Sequence, residues 1–212
     1  MDILIINASP KIAENNSGYF INEIKSMIGS SHKISEVRII NPNLNNELIQ
    51  AISSCNTIII AFPLYVDSIP SHLTNVLTQL SMEVQSVNQN PIRVFGVVNC
   101  GFYEAHQTHI ALQILKNWCY KSGFKWCQGI GIGAGEMFGQ IKKVPLGHGP
   151  KKSLGKALTT LTDNILDGKE AENMYISPDF PRILFKLMAD SHWNSLAKSF
   201  GNKKKDLLKK TL

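Results

Sequence analysis

The 212-residue chain lacks the features that would place it in several large functional classes. Its four cysteines, Cys55, Cys100, Cys119 and Cys127, form no C-x-x-C pair and have no run of histidines beside them, so zinc and iron–sulfur sites are not expected. The longest apolar run, TIIIAFPLYV, is broken by Pro63 and falls well short of the ~20 residues that cross a bilayer. The start, MDILII, has neither a positive n-region nor a small-residue cleavage site, so a cytoplasmic rather than a secreted protein is expected. No Walker A motif is present, because GPKKSLGK at Gly149–Lys156 has one residue too many between its glycines. Nucleic-acid binding is not expected either. The formal charge of +6 is concentrated in Lys198–Leu212, whose six lysines and one aspartate carry +5, and no basic stripe with interleaved aromatics precedes it.

What the chain does have is 43% hydrophobic residues, enough to bury one sizeable core. Nearly continuous β-branched runs recur at DILIIN, ISEVRII, NTIIIAF, IRVFGVVN and KWCQGIGIG, as in strands covered on both faces. Helical spacing separates them at about Ser17–Ile28, Asn45–Ser54, Pro70–Met82 and His106–Ser122, and a further helix fits Lys151–Leu166. Alternation of this kind predicts an α/β fold with a doubly wound five-stranded parallel sheet in the order 2-1-3-4-5. Residues 1–168 are expected to form this domain. Residues 169–212, where the pattern loosens, are expected to form a helical C-terminal extension.

In such a sheet ligands bind beyond the carboxyl ends of the strands, so the informative loops follow strands one, three, four and five. After the first, NASPKIAENNSGYF sets Ser9, Lys11, Asn16, Ser17 and Gly18 at a helix start, a setting that suits a phosphate monoester. Asn16 or Ser17 serving merely as the helix cap is the plainer alternative. After the third, Pro63, Leu64, Tyr65, Val66, Asp67 and Ser68 form a half-polar segment able to lie along a flat ring system, or a hydrophobic staple leading into a helix. After the fourth, Asn99, Cys100, Gly101, Phe102 and Glu104 form a tight turn, in which Cys100 reads as a loop thiol without an assignable base. His106 and His109 stand three apart, but without a further ligand at metal spacing they read as surface residues. GIGIGA at Gly129–Ala134 lacks the acidic residue a dinucleotide fingerprint needs, and reads as a strand end closely approached by a ligand or another backbone.

Taken together, these loops resemble the flavodoxin-like NAD(P)H-dependent FMN reductases and quinone reductases. Ser9-Pro10-Lys11 with Asn16-Ser17 matches their phosphate loop. Pro63, Tyr65, Ser68 and Pro70 match their Pro-x-Tyr-x-x-Ser-x-Pro segment, and NCGFYE looks like their second flavin loop. The resemblance covers about the first two-thirds of the chain. It implies that Ser9, Lys11, Asn16 and Ser17 hold the 5′-phosphate of FMN, that Pro63–Val66 and Asn99–Gly101 flank the ring, and that NADH or NADPH donates electrons for a small-molecule acceptor. No obligatory catalytic side chain is implied. Two positions depart from the pattern: Gly18 stands where many relatives carry Thr, and Asp67 where many carry Gly or Trp. A flavodoxin-type electron carrier and a flavin-binding or flavin-sensing module without catalysis are the rival readings. Relatives often build the acceptor pocket across two chains, so the resemblance is compatible with a homodimer using Phe185, Met188 and Trp193 as apolar residues, and a monomer with the tail folded on itself fits the sequence equally well.

Overall fold

A computed structural model describes residues 1–83 and 91–209. The five apolar runs form strands β1 (Asp2–Asn7), β2 (Lys33–Arg38), β3 (Thr57–Pro63), β4 (Arg93–Asn99) and β5 (Lys125–Ile132). Between and after them lie helices α1 (Asn16–Ile28), α2 (Asn46–Ser53), α3 (Ser71–Glu83), α4 (His109–Lys121), α5 (Gly135–Gln140) and α6 (Lys152–Asp167). A 3₁₀ turn over Ala105–Thr108 precedes α4.

All strands are parallel, and the order corrects the expectation by one strand. The sheet has six, in the order 2-1-3-4-5-6, because β6 (Met174–Ile176) pairs with β5. Three residues are too few to announce a strand by periodicity. Its seat is made by the preceding polar stretch instead: Asn173 Oδ1 accepts the Gly129 N–H at 2.8 Å, Gln128 Nε2 donates to Glu172 O at 2.8 Å, and Ala171 N donates to Cys127 O at 2.9 Å. Without this cover, part of the backbone of β5 would be an unpaired edge.

Alternate residues of each central strand enter opposite cores, as the two-residue period of a strand requires. Leu4, Ile6, Ile58, Ile60, Val94 and Val98 pack with α2, α3 and α4. Ile3, Ile5, Ile59, Phe95, Val97 and Ile130 pack with α1 and α6. Helices on both faces leave only the strand ends open, and the carboxyl ends carry the loops singled out above. Helix α6 stops at Gly168, whose φ of 65° is the left-handed conformation of a glycine C-cap.

The chain divides into two compact units, Met1–Pro178 and Asp179–Leu212. The first holds the whole sheet. The second consists of helix α7 (Arg182–Ser199) and a 3₁₀ turn at Lys204–Leu208. Within α7 only Ala197 is buried, while Ile183, Leu187, Met188 and Trp193 are all exposed.

Candidate flavin site at the carboxyl edge of the sheet

The first loop enters α1 through an N-cap that neither Asn16 nor Ser17 supplies. Asn15 takes that role: its side chain accepts the Gly18 N–H at 2.8 Å, and its Nδ2 reaches back to Lys11 O and Ala13 O, both at 3.2 Å. Asn16 instead lies half-buried with its side-chain oxygen against Gly139 of α5, so close that a Cβ there would stand 2.3 Å from it. Gly18 has ordinary room around it, with Asn7 and Asn15 at 3.4 Å from an added Cβ. Lys11 is exposed. Ser9 is buried, and its N–H donates to Asn7 Oδ1 at 3.1 Å. Its hydroxyl has no partner among the described residues.

Ser17 is turned inward and almost fully buried. Its hydroxyl accepts from Asn99 Nδ2 at 2.8 Å, and the same amide donates to Phe62 O at 3.2 Å. The Asn99 carbonyl in turn accepts the Leu64 N–H at 2.8 Å. Through its side-chain amide and its backbone carbonyl, the one buried residue Asn99 at the end of β4 thus joins the start of α1, the end of β3 and the loop after it. A second tie, His72 Nε2 to Ala8 O at 3.2 Å, connects α3 to the first loop.

After Pro63, the chain makes a two-residue hairpin. Tyr65 and Ser68 exchange backbone hydrogen bonds at 3.1 and 3.0 Å, and Val66 and Asp67 between them have φ of 48° and 58°. Two left-handed residues are the mark of a type I′ turn, usually filled by Asn and Gly. A β-branched residue in that conformation is a true outlier. Val66 is also 99% exposed, so no packing compensates it.

The fourth-strand loop is fastened from the far side. Cys100 N donates to Ile132 O at 2.9 Å, Ala134 N to Phe102 O at 2.5 Å and Gly135 N to Cys100 O at 2.8 Å. The loop comes so near β5 that a Cβ on Gly133 would lie 2.3 Å from the Tyr103 carbonyl oxygen. At Gly133 the close approach read from the glycine string is therefore that of another backbone, while Gly129 and Gly131 are approached by the side chains of Leu112 and Thr108. The Cys100 thiol is pushed up to about 11 by burial, opposed by a hydrogen bond from the Phe102 backbone and reinforced by the carboxylates of Glu104 and Asp67. It is a protonated thiol at neutral pH, not a nucleophile. Gly101 has open space where a Cβ would be, and Tyr65, Val66 and Phe102 present large apolar side chains to solvent.

Beside the first loop, a polar cavity of about 300 Å³ separates α1 from α5, lined among others by Lys11, Asn16, Glu136 and Gln140. Lys142 pairs with Glu14 across it and holds that carboxyl below its ordinary range. His106 and His109 stack at 5.1 Å between ring centroids. Among the described residues no group of three or more His, Cys, Asp or Glu could hold a metal.

No family model matches the chain. No curated protein matches it either. Solved structures do. An NADH:FMN oxidoreductase in its apo form is similar at 15% identity over 85% of this chain and 96% of that one, with a TM-score of 0.59. An FMN-dependent NADH-azoreductase from Bacillus anthracis, solved with FMN, is similar at 16% identity over 76% and 100%, with a TM-score of 0.52. An NADPH-quinone reductase from P. pentosaceus is similar at 16% over 77% and 96%, with a TM-score of 0.53. The chain has the flavodoxin-like fold. At these identities the likeness establishes the flavodoxin-like architecture, in agreement with the fold implied by the loops of the first, third and fourth strands. No helix among the described residues is long and apolar enough to cross a membrane.

Proposed function

We propose that the chain is an FMN-dependent NAD(P)H oxidoreductase that passes hydride from a nicotinamide through FMN to a quinone, a flavin or another small acceptor. The observation that carries this reading is the pairing of two surfaces at the sheet's carboxyl edge. One end offers a polar loop with Lys11 and helix-start amides, which suits a phosphate, and the other offers exposed Tyr65, Val66 and Phe102, which suit a flat ring. The donor set fits the group: Ser9 has an unpartnered hydroxyl, and the N–H groups of Asn16 and Ser17 have no acceptor among the described residues.

Ser9, Lys11, Asn16 and Ser17 would then hold the phosphate end, with Ser17 contributing through its backbone and Gly18, whose N–H is taken by Asn15, leaving room beside them. Pro63–Ser68 and Asn99–Phe102 with Glu104 would flank the ring. FMN, when bound, supplies the redox chemistry, accepting hydride and handing electrons on. The chain's residues bind and orient it: Tyr65, Val66 and Phe102 shed water from the ring edge, and backbone N–H groups stabilise negative charge. Cys100 keeps its proton and takes no covalent part. Exposed Met188 and Trp193 on α7 support a homodimer in which a second chain completes the acceptor pocket, in a cytoplasmic setting.

The test is the absorption spectrum of protein reconstituted with FMN, followed by anaerobic NADH and NADPH. Flavin bands that bleach with a pyridine nucleotide and return with a quinone support the reductase. Flavin that binds but is reduced by neither nucleotide points to an electron carrier or a sensing module. Protein that stays colourless overturns the flavin reading.

A further inference from the structure

Every backbone carbonyl along the middle of the first loop is engaged from outside the binding edge. Arg38, the last residue of β2, donates from Nη2 to Lys11 O and from Nη1 to Ile12 O, both at 2.8 Å. Asn15 Nδ2 takes Ala13 O and shares Lys11 O. Three successive carbonyls are therefore tied down, one of them twice. The N–H groups in the same peptide planes, those of Ile12, Ala13 and Glu14, have no acceptor among the described residues. A peptide's C=O and N–H point in opposite directions across a rigid plane, so fixing one fixes the other. Arg38 forms no ion pair among the described residues, so its charge is not cancelled and further polarises the peptides it holds.

Hydroxyl groups, by contrast, are scarce in this loop, where only that of Ser9 is without a partner among the described residues. The Ser17 hydroxyl is buried on Asn99, and Gly18 has none. We propose that Arg38 and Asn15 are positioning residues that hold the carbonyls of Lys11–Ala13 so that the N–H groups of Ile12, Ala13 and Glu14 turn toward an anion, and that these amides, beside the single Ser9 hydroxyl, take the place of further side-chain hydroxyls in recognising the phosphate of FMN. The inference rests on the flavin reading above, and names what sets affinity at its phosphate end. A planar guanidinium spans two neighbouring carbonyls, and a lysine ammonium does not.

The experiment compares binding of FMN and of riboflavin, which lacks the phosphate, to wild type, Arg38→Ala, Arg38→Lys and Asn15→Ala, by quenching of flavin fluorescence. Arg38→Ala is expected to weaken FMN about tenfold while leaving riboflavin unchanged. Arg38→Lys should recover part of the loss, and added guanidinium should restore part of it in Arg38→Ala. Equal weakening of both flavins, or no change in either, overturns the proposal. Should Arg38→Ala not fold, Arg38→Lys and Asn15→Ala carry the same FMN-to-riboflavin comparison. If wild type binds neither flavin, the reductase reading falls by itself, and inorganic phosphate titrated against ¹⁵N-labelled protein decides this one. Amide shifts at Ile12–Glu14 that are lost in the Arg38 variant sustain it, and their absence in wild type overturns it.

Discussion

Val66 offers a direct measure of strain at the proposed ring-binding edge. Its φ of 48° puts a β-branched side chain in the left-handed region, which costs about 1–2 kcal/mol for an ordinary L-residue. At 99% exposure the side chain contributes no buried area, so replacing it forfeits no packing. Asn tolerates the left-handed conformation through local hydrogen bonding, and Val66→Asn is expected to stabilise the protein by about 1 kcal/mol. For a compact unit ending at Pro178 this raises the melting temperature by about 2–4 °C. Val66→Gly should gain less, since glycine gives back part of the benefit as unfolded-chain entropy. Urea titration checks both, with the midpoint moving and the slope unchanged. An unchanged or lowered midpoint in Val66→Asn would refute the strain argument. The same variant should bind FMN more weakly, because strain kept at an exposed apolar tip is accounted for by what that tip touches. A variant both more stable and equally tight would remove Val66 from the site.

Asn99→Ala should cost about 2 kcal/mol in urea denaturation, because the Ser17 hydroxyl and the Phe62 carbonyl lose their donor inside the protein. Gly133→Ala should cost about 2–3 kcal/mol, since the new Cβ meets the Tyr103 and Ala105 backbone rather than a movable side chain; a change below 0.5 kcal/mol would contradict the close packing of the β4 and β5 loops. All four thiols are held above their ordinary value of 9.0, chiefly by burial, Cys55 and Cys100 to about 11. The folded state therefore keeps thiol protons that the unfolded chain has lost. Stability should be level up to pH 9 and fall as pH rises from there through about 11, which urea midpoints at pH 8 and pH 10 will show.

Strands β1, β3, β4 and β5 were readable because each carries an apolar run buried on both faces, whereas β2, at the sheet's edge with only Val37 buried, was readable from its β-branched run without that double cover; the loops at the strand ends followed from that order alone. Strand β6 was not, since Met174–Ile176 owes its place to Asn173, Glu172 and Ala171 rather than to a run of its own. Within the site, Asn15, Asn16 and Ser17 are all competent caps, and local chemistry does not choose among them. The choice is made by α5 and β4, which draw Asn16 toward Gly139 and Ser17 toward Asn99. Arg38 left no local signal because its partners lie 26 and 27 residues upstream. The left-handed Val66 runs against its own propensity, and no pattern in the sequence announces it.

The two loops flanking the proposed ring site are fastened very differently. The one after β4 is bolted to β5 through the amides of Cys100, Ala134 and Gly135, whereas the hairpin after β3 closes on itself, its backbone hydrogen-bonded to the β4 end through Leu64 at its base. Acceptors of different thickness would accordingly be met by movement of the hairpin alone, against a wall that keeps its shape. Under the proposed function, breadth of acceptor choice and the orientation of the flavin would be governed by separate pieces of chain, and either could change in evolution without disturbing the other.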